Sequence, residues 1–451
     1  MADEWPKAEV GDLAESISET HRFGKKELIF LNTSDVLRGK ILHQSYSHVE
    51  HWPGQAKKSI RKGDILFSEI RPANGRYAYV DVEADDYVVS TKLMVIRARD
   101  RILPKFLFHY LTSTEITNWL QHLAESRSGT FPQITFDQVA ELELNLPPKD
   151  AQKAIVSFID ALDDKIELNR RTNETLEAIA QALFKSCFVN FDPVHAKAEG
   201  RDPGLPKPLA DLFPDSFEQS ELGEIPKGWS VKAIGDVAER VAMGPFGSSI
   251  KVETFVPEGV PIISGQHLRG LMLEDSKFNF ITHEHAKKLS NAIVQRGDIV
   301  FTHAGSIGQA AYIPAASRYE RYVISQRQFY MRCDTLQVTP TFIAFYFNTH
   351  EGQHRLLANT SSSGVPSIAR PVTYLRTIRL AIPPRRILDA FERIVSPILL
   401  QFRHNVEMNG TLATLRDALL PKLISGELRL KQSDRALKDR VVPRVLGGAM
   451  R

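Results

Sequence analysis

The feature that most constrains the fold of this chain is an internal duplication. Segments of the first half recur in the second half in the same order, while the offset between them drifts slowly upward. Such ordered matches indicate a duplicated module whose loops differ in length. The clearest matches are VGDLAE at residues 10–15 with IGDVAE at 234–239, LRG at 37–39 with LRG at 268–270, KGDILF at 62–67 with RGDIVF at 296–301, and LPP at 146–148 with IPP at 382–384.

Each copy divides into a mixed part followed by a helical part. Short β-branched and aromatic runs, such as residues 77–82 and 87–96, alternate with Gly, Pro and Asn, which predicts strands joined by turns. Residues 104–123 read as a helix within the first mixed part. The paired prolines at 147–148 and 383–384 fix an extended backbone, so a helix is expected to begin after each pair.

The two helical parts carry a heptad pattern with two asparagines in the middle of each seam. Buried asparagine costs stability but fixes register, so these residues predict that the two helices pair with each other. The alternative is that each helix packs only on its own domain, and Arg416 and Pro397 are irregularities that favour it. The seams are Ile155, Ile159, Leu162, Ile166, Asn169, Asn173, Leu176, Ala180, Leu183 and Cys187, and then Phe391, Val395, Ile398, Phe402, Asn405, Asn409, Leu412, Arg416, Leu419 and Leu423.

These patterns predict an α+β protein: two mixed α/β domains in a pseudo-two-fold repeat, separated by a long antiparallel two-helix coiled coil. The helices should run antiparallel because the second must return along the first. The linker between the modules reads as either an ordered strap or a flexible tether. The expected segments are a first domain at 1–149, a first helix at 150–189, the linker at 190–225, a second domain at 226–384, a second helix at 385–430 and a basic tail at 431–451.

Composition narrows the class of protein. A length of 451 residues suits two or three domains, and two cysteines are too few for a disulfide framework. No secretory signal pattern and no uncharged apolar run of membrane-spanning length occurs, so we expect a cytoplasmic protein that does not enter a membrane. The net charge is only +3, and much of the basic excess lies in the tail. Any nucleic-acid binding must therefore use local patches.

No catalytic or metal-binding motif emerges from the sequence. The glycine loops at 244–249 and 305–308 could approach a phosphate, but a simple chain turn explains them better. His283-Glu284-His285 lacks the spacing of a zinc pair. Asp64 and Asp298, each at the start of a strand, are expected to be capping carboxylates, and Cys187 is expected to lie in a core.

Four further stretches carry distinctive patterns: LFKSCFVNFDPV at 183–194, Ala196-Lys197 with Gly200, GEIPKGW at 223–229 and LLPKLISGEL at 419–428. With these stretches and the duplication, the chain resembles the specificity subunit of type I restriction-modification enzymes over nearly its full length. That family's Pro-Pro-x-x-Glu-Gln pattern is altered at residues 147–152 and lost further at 385–388.

The resemblance implies a function without catalysis or cofactor. Two target recognition domains would each read one half of a split sequence in double-stranded DNA, with the helices setting the spacer. Adenine methylation would belong to two modification subunits, and ATP-dependent cleavage to restriction subunits. Two alternatives stay open: a DNA methyltransferase with a similar recognition domain, and a two-domain adaptor that binds protein.

Candidate contact residues follow from side-chain chemistry. Base edges and phosphates are read by Arg, Lys, Asn, Gln and hydroxyl side chains, and we expect these on loops where the two copies differ, so that the modules read unlike half-sites. The DNA candidates are Arg71, Asn74, Arg76, Tyr77, Arg127, Ser128, Thr130, Gln133, Ser248, Ser249, Lys251, His303, Ser306, Gln309, Ser362 and Arg370. Apolar helix residues outside the seam, expected to bind the partner subunits, are Phe158, Ile179, Phe184, Leu399 and Leu415.

Overall fold

The computed structural model describes residues 5–127, 132–247, 249–275, 277–361 and 364–430. The chain forms two compact units. Unit 1 comprises Met1–Arg170 with Asn405–Arg451, and unit 2 comprises Arg171–His404. Each unit therefore contains one mixed module and half of each long helix.

Unit 1 begins with the first mixed module. Its elements are β1 (Lys7–Glu9), α1 (Val10–Leu13), β2 (Ala14–Ile17), β3 (Glu27–Leu31), β4 (Val36–Leu37), β5 (Lys40–Ile41), β6 (Ser47–His48), β7 (Ala56–Ser59), β8 (Ile65–Ser68), β9 (Tyr77–Tyr79), β10 (Tyr87–Ser90), β11 (Leu93–Ala98), α2 (Pro104–Leu111), α3 (Thr114–Arg127), α4 (Phe136–Ala140), β12 (Glu143–Asn145) and the start of α5 (Lys149–Phe188).

Two four-stranded sheets, in the orders β2-β11-β8-β9 and β6-β3-β10-β7, form the body of unit 1. Alternate residues of β8 point to opposite faces, so Phe67 packs beneath the helices whereas Leu66 packs on the other side. The single helix predicted at 104–123 is two helices. The break falls at Ser113, whose hydroxyl accepts the Ile116 N–H of the second helix (3.4 Å).

Unit 2 holds the second module. Its elements are the end of α5, α6 (Asp192–Ala198), α7 (Lys207–Ala210), β13 (Phe217–Ser220), β14 (Gly223–Pro226), β15 (Ser230–Ala233), α8 (Ile234–Val237), β16 (Ala238–Met243), β17 (Val260–Ile263), β18 (Asn279–Ile281), α9 (His283–Lys288), β19 (Ile293–Gln295), β20 (Ile299–Thr302), β21 (Ala310–Tyr312), β22 (Arg321–Ile324), β23 (Gln328–Cys333), α10 (Pro340–Phe347), α11 (His350–Leu357), β24 (Thr360–Ser361), β25 (Ser367–Ile368), α12 (Pro371–Thr377), β26 (Arg379–Ile382) and the start of α13 (Arg385–Ser425).

The sheets of unit 2 repeat those of unit 1 strand for strand. Their orders are β16-β23-β20-β21 and β18-β17-β22-β19. The parallel pair β3 and β10 of unit 1 has its counterpart in β17 and β22. The duplication inferred from the sequence is thus confirmed by topology.

A buried ion pair also recurs in both units. Arg97 donates to both carboxylate oxygens of Asp64 (2.7 and 2.8 Å), and Arg332 does the same to Asp298 (2.7 Å to each). Burial raises the pKa of Asp298, and the Arg332 guanidinium opposes that shift. Asp64 and Asp298 also accept the backbone N–H three residues earlier, which confirms their predicted capping role.

The linker at 190–225 is an ordered strap. It contains α6, α7, β13 and most of β14, and its apolar side chains enter the core of unit 2. Burial of each such side chain stabilises the fold by about 1.5–3 kcal/mol, which keeps the strap in place. The buried residues are Val194, Leu209, Phe213 and Ile225.

The helices pair as predicted. In unit 1, the Asn169 side-chain amide donates to the Asn409 side-chain oxygen (2.8 Å), and Arg416 pairs with Asp163 (2.7 Å). Because residue numbers rise along α5 as they fall along α13, the halves are antiparallel. Arg416 departs from the heptad pattern but forms an ion pair with the other helix. The helices contact each other, so the alternative that each packs only on its own domain does not hold.

The central asparagines of the seam bond to backbone as well as to each other. In unit 2, the Asn173 amide donates to the Phe402 carbonyl oxygen (3.0 Å). In unit 1, the Asn409 amide donates to the Ile166 carbonyl oxygen (3.2 Å). A buried amide that satisfies its donors in only one alignment favours a single register.

Candidate nucleic-acid interface

Three segments of unit 1 meet beyond the end of β8, and we call them the loop edge of unit 1: residues 69–76, 90–93 and 132–135. Backbone hydrogen bonds hold them together. The Glu69 N–H donates to the Lys92 carbonyl oxygen (3.2 Å). The Ile134 N–H donates to the Glu69 carbonyl (2.9 Å), and the Arg71 N–H donates to the Pro132 carbonyl (3.1 Å).

Unit 2 builds the same arrangement beyond the end of β20. Its loop edge consists of residues 303–309, 325–328 and 364–370. The His303 N–H donates to the Arg327 carbonyl (2.9 Å), and the Ile368 N–H donates to the His303 carbonyl (2.8 Å). The Gly305 N–H donates to the Pro366 carbonyl (3.1 Å). The two edges thus share the backbone hydrogen bonds that close them, whereas their exposed side chains differ.

On the edge of unit 1, the structure brings together three of the predicted contact residues. Arg71 and Asn74 are exposed, and Gln133 is half-buried beside them on the neighbouring segment. Arg71 adopts a left-handed backbone conformation (φ 46°) immediately before Pro72. Such a conformation is strained for a residue with a Cβ and recurs at functional sites.

Arg76 and Gln309 occupy corresponding places at the starts of β9 and β21, and both hold a turn of the protein. Arg76 donates to the Ser34 carbonyl oxygen (2.9 Å). Gln309 donates to the Gly265 carbonyl oxygen (3.0 Å) and accepts from the Thr302 hydroxyl (2.9 Å). The structure gives both side chains a structural role. The prediction that they contact DNA stays untested.

Tyr77 lies in strand β9 and not in a loop, and it is half-buried against the core of unit 1. Its ring stacks on Phe67 (centroids 5.7 Å apart) and meets the edge of Phe108 (6.1 Å). Burial raises the pKa of its hydroxyl. The expected loop position of Tyr77 is wrong, because Tyr77 is the first residue of β9 and its ring packs on Phe108 of helix α2. The prediction that Tyr77 contacts DNA stays untested.

The edge of unit 2 exposes Ser306 and Arg370, the latter again left-handed (φ 44°) and followed by proline. His303 is half-buried, and its Nε2 forms a hydrogen bond with the Gln326 carbonyl oxygen (3.1 Å). Burial lowers the pKa of His303 from its ordinary value, which favours the neutral ring. His303 thus supports the turn at 325–328, and the prediction that it contacts DNA stays untested.

Ser249 and Lys251 lie on a separate loop, residues 244–251, which joins the edge of unit 2 through Gly244. The Gly244 N–H donates to the Gln328 carbonyl oxygen (2.8 Å). Ser249 and Lys251 are exposed there. The predicted contacts Ser128, Thr130, Ser248 and Ser362 lie outside the described residues, as does the side chain of Arg127.

Two basic residues of the loop edges escaped the sequence analysis. Lys92 and Arg327 occupy the same place in the two units, since each carbonyl accepts the hydrogen bond that closes the edge. Arg327 is exposed and Lys92 is half-buried. The repeat alignment, extended through residues 90–93 and 325–328, would have paired them.

The predicted partner-binding residues divide into exposed and buried ones. Ile179 and Leu415 are exposed, and Phe158 is half-buried against the core of unit 1. Phe184 and Leu399 lie in the core of unit 2, so their prediction as surface contacts is wrong. Phe184 stacks on Phe345 of the mixed module (5.4 Å). Leu400 and Val406 are exposed apolar helix residues that the prediction missed.

The rest of the surveyed chemistry is structural. Among the described residues, no group of three His, Cys, Asp or Glu side chains could hold a metal ion. Gly305 (φ 84°) and Gly308 (φ 88°) lie in a tight turn, as the sequence predicted. Burial raises the pKa of Cys187 to about 12, which makes it an unreactive core thiol. None of the helices in the described part of the chain is both long and apolar enough to cross a membrane.

Two copies of one mixed module, each with a polar loop edge, place the chain in a class of duplicated proteins with two similar candidate binding edges. Sequence comparison identifies the family within this class. Residues 2–178 and 226–400 match the family described as "Type I restriction modification DNA specificity domain". The chain belongs to this family.

Individual relatives agree with that assignment. The chain is similar to the type I restriction enzyme HindI specificity subunit of Haemophilus influenzae, with 34% identity over 95% of this chain and 100% of the relative. It is also similar to the MjaIX specificity subunit of Methanocaldococcus jannaschii, with 24% identity over 82% of this chain and 79% of the relative. The crystal structure of the S subunit from M. genitalium shares the fold, with a TM-score of 0.55 at 14% identity over 94% of this chain and 97% of that one.

Proposed function

We propose that this protein is the sequence-specific DNA-recognition subunit of a type I restriction-modification complex. Each loop edge reads one half of a bipartite, asymmetric target in double-stranded DNA. The observation that carries the proposal is the pair of edges themselves: their backbone hydrogen bonds are the same, whereas their exposed side chains differ. A common frame with different side chains suits a protein that reads two unlike sequences in one manner.

Catalysis belongs to other subunits. The chain directs adenine methylation by two modification subunits and ATP-dependent cleavage by restriction subunits, and it acts in the cytoplasm. The exposed apolar helix residues Ile179, Leu400, Val406 and Leu415 support a docking role for the helices. Apolar side chains that remain exposed on a folded chain are typical of interaction surfaces.

A binding assay distinguishes the proposal from the two alternatives, a DNA methyltransferase and a protein-binding adaptor. The chain is purified alone and together with the adenine methyltransferase subunits of the same system, and duplex DNA is titrated into each. We expect tight, sequence-selective binding and methylation only from the assembled complex. Methylation by the chain alone would make it a methyltransferase, and a complex that ignores DNA would make it an adaptor.

The helices are proposed to set the spacer between the half-sites. Adding one heptad to each helix preserves the seam and lengthens the pair by about 10 Å at 1.5 Å per residue. At about 3.4 Å per base pair, the preferred spacer should grow by about three base pairs while both half-sites stay unchanged. Insertion of two residues should instead disturb the seam. A heptad variant that keeps the original spacer would contradict this role.

A further inference from the structure

An exposed aromatic residue lies at the loop edge of unit 2. Phe246 is at the tip of the loop at 244–251, and 77% of its surface is accessible. Covering an exposed phenylalanine with a partner removes apolar surface from water, which favours binding.

Residues 244, 247 and 249 hold Phe246 outward. Gly244 packs so closely on the turn at 325–328 that a Cβ would overlap the backbone there, and Gly247 is left-handed (φ 63°). The Ser249 hydroxyl donates to the Phe246 carbonyl oxygen (2.8 Å). His285 in turn forms a hydrogen bond with the Ser249 carbonyl oxygen (2.9 Å). The exposure of the ring is thus built into the backbone of the loop.

The surroundings of the ring indicate what covers it. The turn at 325–328 carries both the Gly244 contact and the His303 contact, so the loop is continuous with the edge of unit 2. Val365, on the segment that is bonded to Gly305, is a second apolar tip and is 63% exposed. Exposed cations on the same segments are Lys251, Arg327 and Arg370. Apolar tips among cations match the stacked bases and phosphates of DNA better than a protein surface.

The corresponding loop of unit 1 also contains a phenylalanine, but its environment differs. The separation in sequence between Phe23-Gly24 and Phe246-Gly247 is nearly the same as the separation between the neighbouring repeat segments at 10–15 and 234–239. The Phe23 ring is half-buried and meets Trp52 edge-on (centroids 6.4 Å apart). Unit 1 therefore covers its own ring, whereas unit 2 leaves Phe246 uncovered.

We propose that Phe246 is a specificity-determining residue that stacks against a base step in the half-site read by unit 2. The proposal rests on the DNA-recognition function given above. A ring that enters a base step partly unstacks it and bends the duplex, and pyrimidine–purine steps yield to this most easily. Unit 2 then selects a flexible step without a hydrogen bond to its bases.

The test uses the assembled complex with its methyltransferase subunits and the duplex DNA site that the wild-type complex selects. Phe246→Ala should weaken binding to that site about tenfold, because base–aromatic stacking is lost. The dependence of affinity on salt should not change, since no phosphate contact is removed. A 2-aminopurine base at the contacted step should brighten on binding of the wild-type complex and stay dim with Phe246→Ala. Phe246→Trp should keep both the affinity and the 2-aminopurine signal.

Leu336→Ala is the matched control. Leu336 is also highly exposed (86%), but it lies beyond the end of β23 that is opposite to the edge. We expect wild-type affinity and wild-type fluorescence from this variant.

The outcomes separate the inference from the proposed function. If the wild-type complex binds DNA selectively and the Phe246→Ala complex binds equally well, the stacking role of Phe246 is wrong while the proposed function stands. Loss of the methyltransferase subunits from the Phe246→Ala complex would show that the ring contacts protein, which also overturns the inference. If the wild-type complex shows no selectivity, the proposed function itself fails.

Discussion

The two units differ where they face outward and agree where they are buried. Both contain the same sheet orders and the same bidentate pair of aspartate and arginine. Both close their loop edges with the same three backbone hydrogen bonds. At the edges, Arg71 and Asn74 of unit 1 stand where unit 2 has a serine and two glycines within its turn, and Gln133 corresponds to Ser367.

This comparison shows how one fold can serve two targets. A backbone frame that is fixed by main-chain bonds tolerates changes of the exposed side chains, since those side chains are not needed for folding. Arg76 and Gln309 differ between the units for another reason. Each donates a hydrogen bond to a carbonyl oxygen of a neighbouring turn, so two different side chains have the same structural role. Differences between the copies therefore mark candidate reading residues only where the side chain is free of such tasks.

The largest expected effect comes from the shared ion pair. Asp64→Ala leaves Arg97 buried without its carboxylate, and this should lower the free energy of unfolding by about 3–5 kcal/mol. Asp298→Ala should cause a similar loss in unit 2. Hydrogen exchange of the two units, followed separately, measures both. A large loss in one unit and none in the other would show that the frames are not equivalent.

The control for this prediction is an exposed ion pair. Lys7 and Glu143 lie 3.3 Å apart with more than half of each side chain accessible. Lys7→Ala should change the free energy of unfolding by less than about 1 kcal/mol.

A smaller effect is expected from the exposed arginines of the edges. Arg71→Ala should weaken base preference in one half-site only, by about 1–3 kcal/mol if it reads a guanine, and Arg370→Ala should act only on the other half. Binding to targets substituted one base pair at a time measures this. Arg386→Ala, at the start of α13 and away from the edge, should leave both halves unchanged. Equal loss in both half-sites from either edge variant would mean that the arginines hold phosphates.

The smallest effect concerns the backbone of the same arginines. Both adopt a left-handed conformation, which costs a residue with a Cβ about 1 kcal/mol or more relative to glycine. Arg71→Gly should therefore be about 1 kcal/mol more stable than Arg71→Ala while binding DNA no better. Urea unfolding of the two variants decides this. Equal stabilities would show that the conformation carries no strain.

Much of the fold was predictable from the sequence because repeats and heptads are periodic signals. The seam at Asn169 and Asn409 follows from such a period. The antiparallel direction follows from the connection between the helices, because the second helix must return along the first. Periodicity cannot say which outer faces of a helix other elements cover. Phe184 and Leu399 fall outside the seam, but the mixed module of unit 2 buries them.

The candidate site was less predictable because loops lack a period. Residue chemistry selected Arg71, Asn74 and Arg370 correctly as exposed polar residues of the edges. It could not distinguish them from Tyr77, whose ring is drawn into the core by Phe67 and Phe108. Long-range contacts of this kind depend on the folded backbone and leave no mark on local sequence.

The central claim is that two edges with one frame read two different sequences. Selection of binding sites by the assembled complex from a pool of random duplexes tests it most directly. We expect two unlike sequence blocks separated by a constant number of unspecified bases. When residues 69–76 of unit 1 carry Arg71→Ala and Asn74→Ala, only one block should lose information. A palindromic target, or a single block that depends on both edges, would contradict the account.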